Sequence, residues 1–292
     1  MNILVTGSNG QLGNELRLRA SAEHNWIFTD VVQQSGVETI QMDICDINTV
    51  RIIAESERVD VIVNCAAYTN VDKAEDDKEA AWTLNKTAPG NLATVASELG
   101  ATLIHISTDY VFPGDSCRPL RESDPTGPKS VYGSTKLAGE EAVRSSGCKS
   151  IIIRTAWLYS PFGRNFFKTM VGLTSTKESV RVVADQVGSP TYAADLADLI
   201  VHIITSGQLD KTGLYHFSDE GVVSWYDFAH EIGALCGGSC DVQPCASSEY
   251  PSRVRRPHYS ALDKTLVKTT FGFRIPYWRD SLEDCFKRYS AL

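Results

Sequence analysis

The stretch NILVTGSNGQLG, residues 2–13, runs a short apolar segment straight into three glycines, Gly7, Gly10 and Gly13. Near-continuous Ile/Leu/Val character predicts a strand buried on both faces, as parallel strands are. Glycines spaced G-x-x-G-x-x-G let the backbone turn sharply into a helix and approach a pyrophosphate at the helix N-terminus. A glycine triplet alone is a weak signal. Its place between a strand and a helix makes it a dinucleotide signature. Gly7, Asn9, Gly10, Gln11, Leu12 and Gly13 are therefore candidate cofactor-binding residues.

The same alternation continues through the first half. Strands are expected at 26–30, 39–43, 59–66, 102–108 and 150–156, and helices at 11–21, 46–57, 74–99 and 130–147. That order predicts an α/β fold, a doubly wound parallel sheet of Rossmann type with right-handed crossovers. Ligands then bind beyond the carboxyl ends of the strands. After residue 157 the rhythm changes. A helix near 163–176, a strand at 180–185, a helix at 194–204, a strand at 214–218 and a helix at 224–236 precede a basic loop, SRVRRPHYS (252–260). Residues 1–157 are expected to form the dinucleotide-binding domain, with roughly 180–218 returning to it. Residues 158–179 and 219–292 would form a smaller C-terminal substrate lobe.

Composition narrows the function classes. The chain has 292 residues, 42% hydrophobic and 22% charged, which is ordinary for a globular protein. A net charge of −8 argues against a general nucleic-acid binder. No apolar run reaches the roughly 18–20 residues of a membrane span, and MNILVTG lacks a signal peptide's basic start. A cytoplasmic protein with no nucleic-acid or membrane partner is expected. The cysteines are scattered, and Cys236, Cys240 and Cys245 lack a C-x2-C knuckle or a histidine partner. Reduced thiols and no metal are the expectation.

Asp30 closes the second expected strand, 17 residues beyond Gly13, where an acid would bond the adenosine ribose hydroxyls. Asp43 and the neighbouring Ile44 would reach the adenine, although Asp43 suits a turn equally well. Asn64, Cys65, Ala66, Ala67 and Tyr68 end the fourth strand, where small residues let the chain lie against a cofactor. No Arg or Lys occurs in 7–13 or 30–35 to meet a 2′-phosphate, which leans toward NADH.

Thr108 ends the fifth strand, and Tyr132 and Lys136 stand four apart in VYGSTKLAGE (131–140), on one face of a helix. Carbonyl reduction needs a proton donor at the substrate oxygen. Bringing a phenol from about 10 toward 7 takes roughly 4 kcal/mol, which a nearby ammonium would help to supply.

Taken together, these residues resemble the extended short-chain dehydrogenase/reductase family over essentially the whole chain. The resemblance is carried by the glycine motif, Asp30, Asn64–Ala67, Ser107-Thr108 and Tyr132-x-x-x-Lys136. VDKAE (71–75), STDYVFPG (107–114), RTAWLY (154–159), DQVGSPTYAADLAD (185–198) and Arg256-Pro257 are similar to its branch of nucleotide-sugar 4-reductases. The resemblance implies Tyr132 as general acid, Lys136 as its electrostatic partner and Thr108 as a bond to the carbonyl oxygen. Val71, Asp109, Tyr110, Trp157 and Arg256 would line the pocket of a dTDP-sugar substrate. The implied reaction is reduction of the C4 keto group of dTDP-4-dehydro-β-L-rhamnose to dTDP-β-L-rhamnose, with NADH or NADPH.

A 4,6-dehydratase would carry a carboxylate where Tyr110 follows Thr108-Asp109, so elimination lacks its base. Another nucleotide-sugar 4-reductase, a 4-epimerase, or a non-catalytic subunit like the regulatory subunit of methionine adenosyltransferase are the alternatives. Some members bind magnesium at a dimer interface. Glu15 stands at one such position, but Ala194 stands where a glutamate is required. A monomer or weak dimer is expected.

Overall fold

Strands buried on both faces need cover on both sides, and the computed structural model, which describes residues 1–250 and 252–292, supplies it. Seven strands form one parallel sheet: β1 (Asn2–Thr6), β2 (Asn25–Asp30), β3 (Ile40–Gln41), β4 (Val61–Asn64), β5 (Thr102–Thr108), β6 (Lys149–Thr155) and β7 (Gly213–His216). Their order is β7-β6-β5-β4-β1-β2-β3, so the connections reverse between β1 and β4. A crevice opens at that switch point.

Alternation along each strand sorts the core. Ile3, Val5, Val61, Val63, Ile151 and Ile153 face helices Gln11–Arg19 and Ala193–Thr205. Leu4, Ile62, Leu103 and Ile152 face Ile47–Ser56 and Ala88–Leu99. Each such side chain contributes about 1.5–3 kcal/mol on burial.

Three elements differ from the expectation. The strand expected at 39–43 pairs over only two residues. The helix expected at 74–99 is broken into Val71–Ala74, Lys78–Trp82, a π-helical turn Thr83–Thr87 and Ala88–Leu99. Pro89 has no N–H to bond the carbonyl four residues back, on Asn85, and the ladder widens there. Third, Ser179–Val183 pairs in parallel with Asp241–Cys245 rather than returning to the main sheet. Only Val182 of this strand is buried, which does not suit a position inside a doubly covered sheet.

The chain rejoins the main sheet through Ala193–Thr205 and β7. Helix Thr265–Phe271 also packs Val267 and Phe271 on that core, although its residues lie in the stretch expected in the lobe. The lobe has its own aromatic core, built on Tyr159, Phe167, Tyr192, Phe228 and Trp278.

Candidate active site

A cavity of about 680 Å³ opens at the carboxyl ends of the strands. At its dinucleotide end the glycines meet steric demands. Gly7 has φ +62°, and a Cβ there would sit 2.6 Å from the amide nitrogen of Ala66, across the switch point. A Cβ on Gly13 would sit 2.4 Å from the Cα of Ser8. Neither position admits a side chain without moving backbone. Helix Gln11–Arg19 starts from Gly10 with no side-chain cap, which leaves its first amides free for an anion. A turn this tight against an uncapped helix start fits a pyrophosphate.

Gly7, Gly10, Gln11, Leu12, Asp30, Ile44, Cys65, Ala66 and Ala67 line the cavity. Asn9 and Gly13 stand behind it: the Asn9 amide donates to Asp30 (3.0 Å) and its side chain to the Val32 carbonyl (2.6 Å). Asp43 also stands outside, accepting from the Cys45 amide at 2.8 Å, so it shapes the turn while Met42 and Ile44 face the cavity. Tyr68 is turned away. Its backbone is pinned on both sides by Asn85 and its hydroxyl reaches Asp77, leaving Thr69 at the wall. Asn64 is a buried brace, accepting from Thr6 at 2.7 Å and contacting His105 at 3.0 Å.

At the other end, Thr108, Tyr132 and Lys136 converge on the same cavity. Ser130 caps helix Val131–Ser145 through the Gly133 amide (3.0 Å), and a Cβ on Gly133 would lie 2.3 Å from the Tyr110 carbonyl. That glycine lets the helix press against the Asp109–Val111 turn. Lys136 is buried and donates to the Ile106 carbonyl at 2.7 Å. Burial lowers its pKa to about 8, with Glu140 opposing.

The expected lowering of the Tyr132 phenol is not found. Burial pushes it up to about 12, the neighbouring Thr108 hydroxyl opposes this and Asp109 adds to it. Desolvation outweighs any help from Lys136, whose ammonium is bonded to the Ile106 carbonyl. Tyr132 therefore stays protonated, the state a proton donor needs.

Val71, Asp109, Tyr110, Trp157 and Arg256 all reach the cavity. Tyr110 meets Tyr132 edge to face at 5.5 Å. Trp157, at φ +49°, stacks on Trp225 with centroids 3.6 Å apart. The loop carrying Arg256 is strapped across the cleft: Arg256 pairs with Asp72 (2.9 Å) and Arg253 forks onto Asp76 (2.7 and 3.0 Å). A second cavity of about 620 Å³ lies in the lobe and shares Trp225 and Arg256 with the first.

Sequence reasoning missed Trp225 and Asn165. Trp225 opens a helix expected at 224–236, and nothing in its spacing marks it for a site. Asn165 binds Gln11 at 2.8 Å, joining the first helix to the lobe, a pairing across 154 positions with no local signal. Glu15, weighed above for magnesium, is buried and receives Arg19 (2.8 Å) and Arg288 (3.0 Å), with Ala194 also buried.

A glycine turn at the switch point, a strand-end threonine and a Tyr–Lys pair on the next helix define a dinucleotide-binding fold with a short-chain dehydrogenase/reductase type of site. The chain belongs to the RmlD substrate binding domain family, whose model matches residues 1–291. It is 40% identical to the dTDP-4-dehydrorhamnose reductase of Escherichia coli K12, over 96% of this chain and 95% of that one. Among solved structures it resembles a dTDP-4-dehydrorhamnose reductase from Clostridium acetobutylicum, with TM-score 0.92 and 40% identity over 99% of this chain and 100% of that one. It also resembles the dTDP-4-dehydrorhamnose reductase of Bacillus anthracis in complex with NADP, with TM-score 0.90 and 35% identity over 98% and 99%.

Proposed function

We propose that this chain reduces the C4 keto group of dTDP-4-dehydro-β-L-rhamnose to dTDP-β-L-rhamnose, using NADH or NADPH. The observation that carries this reading is the convergence of Thr108, Tyr132 and Lys136 with the Gly7–Gly10 cradle in one cavity. When bound, the dinucleotide supplies hydride to the carbonyl carbon. Tyr132, held as the neutral phenol, gives its proton to the developing alkoxide. Thr108 hydrogen-bonds the same oxygen and stabilises charge where it develops. Lys136 braces the helix against β5, and its ammonium would offset the charge left on Tyr132.

Gly7, Gly10, Gln11 and Leu12 would hold the pyrophosphate, Asp30 the adenosine ribose, and Ile44 and Met42 the adenine wall. Arg256 would exchange Asp72 for the substrate diphosphate, which a guanidinium binds through two charge-assisted bonds. The lobe cavity beyond Trp225 has room for the nucleoside.

NADH is expected to be used at least as well as NADPH, because the Asp30 carboxylate repels a 2′-phosphate. Arg17, near the glycine turn, is committed to Phe28, on which it stacks at 4.1 Å, and to the Glu38 carbonyl. Among the described residues no helix is long and apolar enough to cross a membrane. A cytoplasmic monomer or weak dimer is the form proposed.

The test is to assay the purified chain with NADH and NADPH against a panel of 4-keto nucleotide sugars. Turnover with dTDP-4-dehydro-β-L-rhamnose is expected. Cofactor oxidation with no member of the panel would favour a non-catalytic subunit.

A further inference from the structure

The Thr108 hydroxyl has one proton to give, and its neighbours contest it. Oγ1 accepts from the Tyr110 amide (3.3 Å) and donates to Asp109 Oδ1 (3.0 Å). A hydroxyl pointing its proton at a carboxylate cannot donate it to a substrate oxygen as well. Asp109 is 2% exposed, and its other oxygen, Oδ2, closes no hydrogen bond, the Ser260 hydroxyl being the remaining polar neighbour of the carboxyl. An ionised carboxylate in that position is costly; a carboxylic acid is not.

We propose that Asp109 is a proton-dependent positioning residue for Thr108. Ionised, Asp109 draws the Thr108 proton away from the substrate. Protonated, it donates to Thr108 Oγ1 and turns the threonine proton toward the carbonyl oxygen. The inference rests on the reductase reading above and adds to it a state of the site that governs turnover.

The surroundings favour the acid form. Tyr110 faces Asp109 from its own turn, Tyr132 from helix Val131–Ser145 and Ser260 from the end of the basic loop. All three are neutral groups. Lys136 shares the cavity but is bonded to Ile106, and Arg256, which acts on Tyr110, is paired with Asp72. Burial pushes the Asp109 carboxyl up to about 6, and the Ser260 and Thr108 hydroxyls pull it back only in part.

The experiment compares kcat/KM from pH 5.5 to 9 for the wild type, Asp109→Asn, Thr108→Val and the double variant. The carboxamide of Asp109→Asn keeps a permanent donor toward Thr108. Wild-type kcat/KM should fall above about pH 6, the value to which burial brings Asp109. Asp109→Asn should lose that limb and exceed the wild type by roughly tenfold at pH 7.5, and Thr108→Val should abolish the difference between Asp and Asn. An Asn variant that keeps the limb, or is slower at every pH, overturns the proposal.

A second readout needs no turnover. Carboxyl 13C NMR of aspartate-labelled protein, assigned through Asp109→Asn, follows the ionisation of Asp109 directly. Thr108→Val should raise its midpoint by removing the donor that favours the carboxylate, and an unchanged midpoint overturns the coupling. If the midpoint moves while no 4-keto sugar is turned over, the reductase reading fails and the hydroxyl–carboxyl coupling stands.

Discussion

Lys136 donates its ammonium to the backbone carbonyl of Ile106 at 2.7 Å, two residues before Thr108 on the same strand. That bond fixes the helix carrying Tyr132 against the strand carrying Thr108, so the two groups proposed to handle the substrate oxygen share one anchor.

The anchor depends on charge. Burial has lowered the Lys136 pKa to about 8, so the ammonium is present at pH 7 and is lost as the pH passes 8. The kcat profile should fall above that value. Lys136→Met keeps the chain length without the charge. It should lower kcat by at least tenfold, in the range for losing a proton-transfer partner, and remove this alkaline limb.

Tyr132→Phe removes the proton and leaves the ring against Tyr110. Steady-state assays should show kcat down by at least about a hundredfold with the fold intact by circular dichroism. Near-normal turnover would remove Tyr132 from its role.

Behind the site, Arg154 forks onto Glu140 at 2.7 and 2.8 Å, and Ser107 donates to the same carboxylate at 2.6 Å, all buried. Arg154→Met strands a buried charge and should cost about 3–5 kcal/mol in denaturant unfolding. Adding Glu140→Gln should recover most of it. A single variant as stable as the wild type would show that the pair is not holding the helix to β5 and β6.

Asp195 and Asp219 meet where the lobe joins the sheet. Asp219 accepts from the Tyr192 amide at 2.9 Å and Asp195 from the Ser281 hydroxyl. Burial raises both carboxyls, Asp195 to about 6 and Asp219 well above its ordinary value, where the charge of Asp195 adds to the shift. A carboxyl raised by folding stabilises fully below its unfolded value, near 4, and that contribution is lost as the pH rises through the folded value. Unfolding free energy should therefore decline between pH 4 and 6 and beyond. Asp219→Asn, which keeps an acceptor for Tyr192, should gain about 1–3 kcal/mol at pH 8 and flatten the decline. A variant no more stable than the wild type at pH 8 would contradict the account.

Where the chemistry is local, it was legible in the sequence. The strand at 102–108 was found to the residue, because Leu103, Ile104 and Ile106 stand in a short run rich in β-branched residues. Gly7, Gly13 and the Tyr132–Lys136 spacing stood out because backbone sterics and helical geometry leave few residue types that fit. What could not be read depends on distant chain. Arg256 meets Asp72 across 184 positions, and Trp157 meets Trp225 only after the lobe folds. The Tyr132 shift was misjudged for the same reason, since burial depends on tertiary packing and spacing does not report it.

Asp30 is the residue proposed to set cofactor choice. A carboxylate within about 4 Å of a 2′-phosphate costs roughly 1–4 kcal/mol. Its oxygens already accept from the Asn9 and Val32 amides, which hold it in place. Asp30→Ser should raise kcat/KM for NADPH relative to NADH by at least tenfold. A wild-type preference for NADPH above tenfold would show that Asp30 does not face the ribose.

The most direct test of the central claim is the fate of a labelled hydride. The chain would be incubated with cofactor deuterated at the transferring position of the nicotinamide and with dTDP-4-dehydro-β-L-rhamnose, and the product read by NMR. One deuterium at sugar C4 for each cofactor oxidised, in the wild type and at least about a hundredfold more slowly in Tyr132→Phe, is the predicted result. Sugar conversion without net cofactor oxidation, or no deuterium at C4, would contradict the assignment of this chain as a 4-keto reductase.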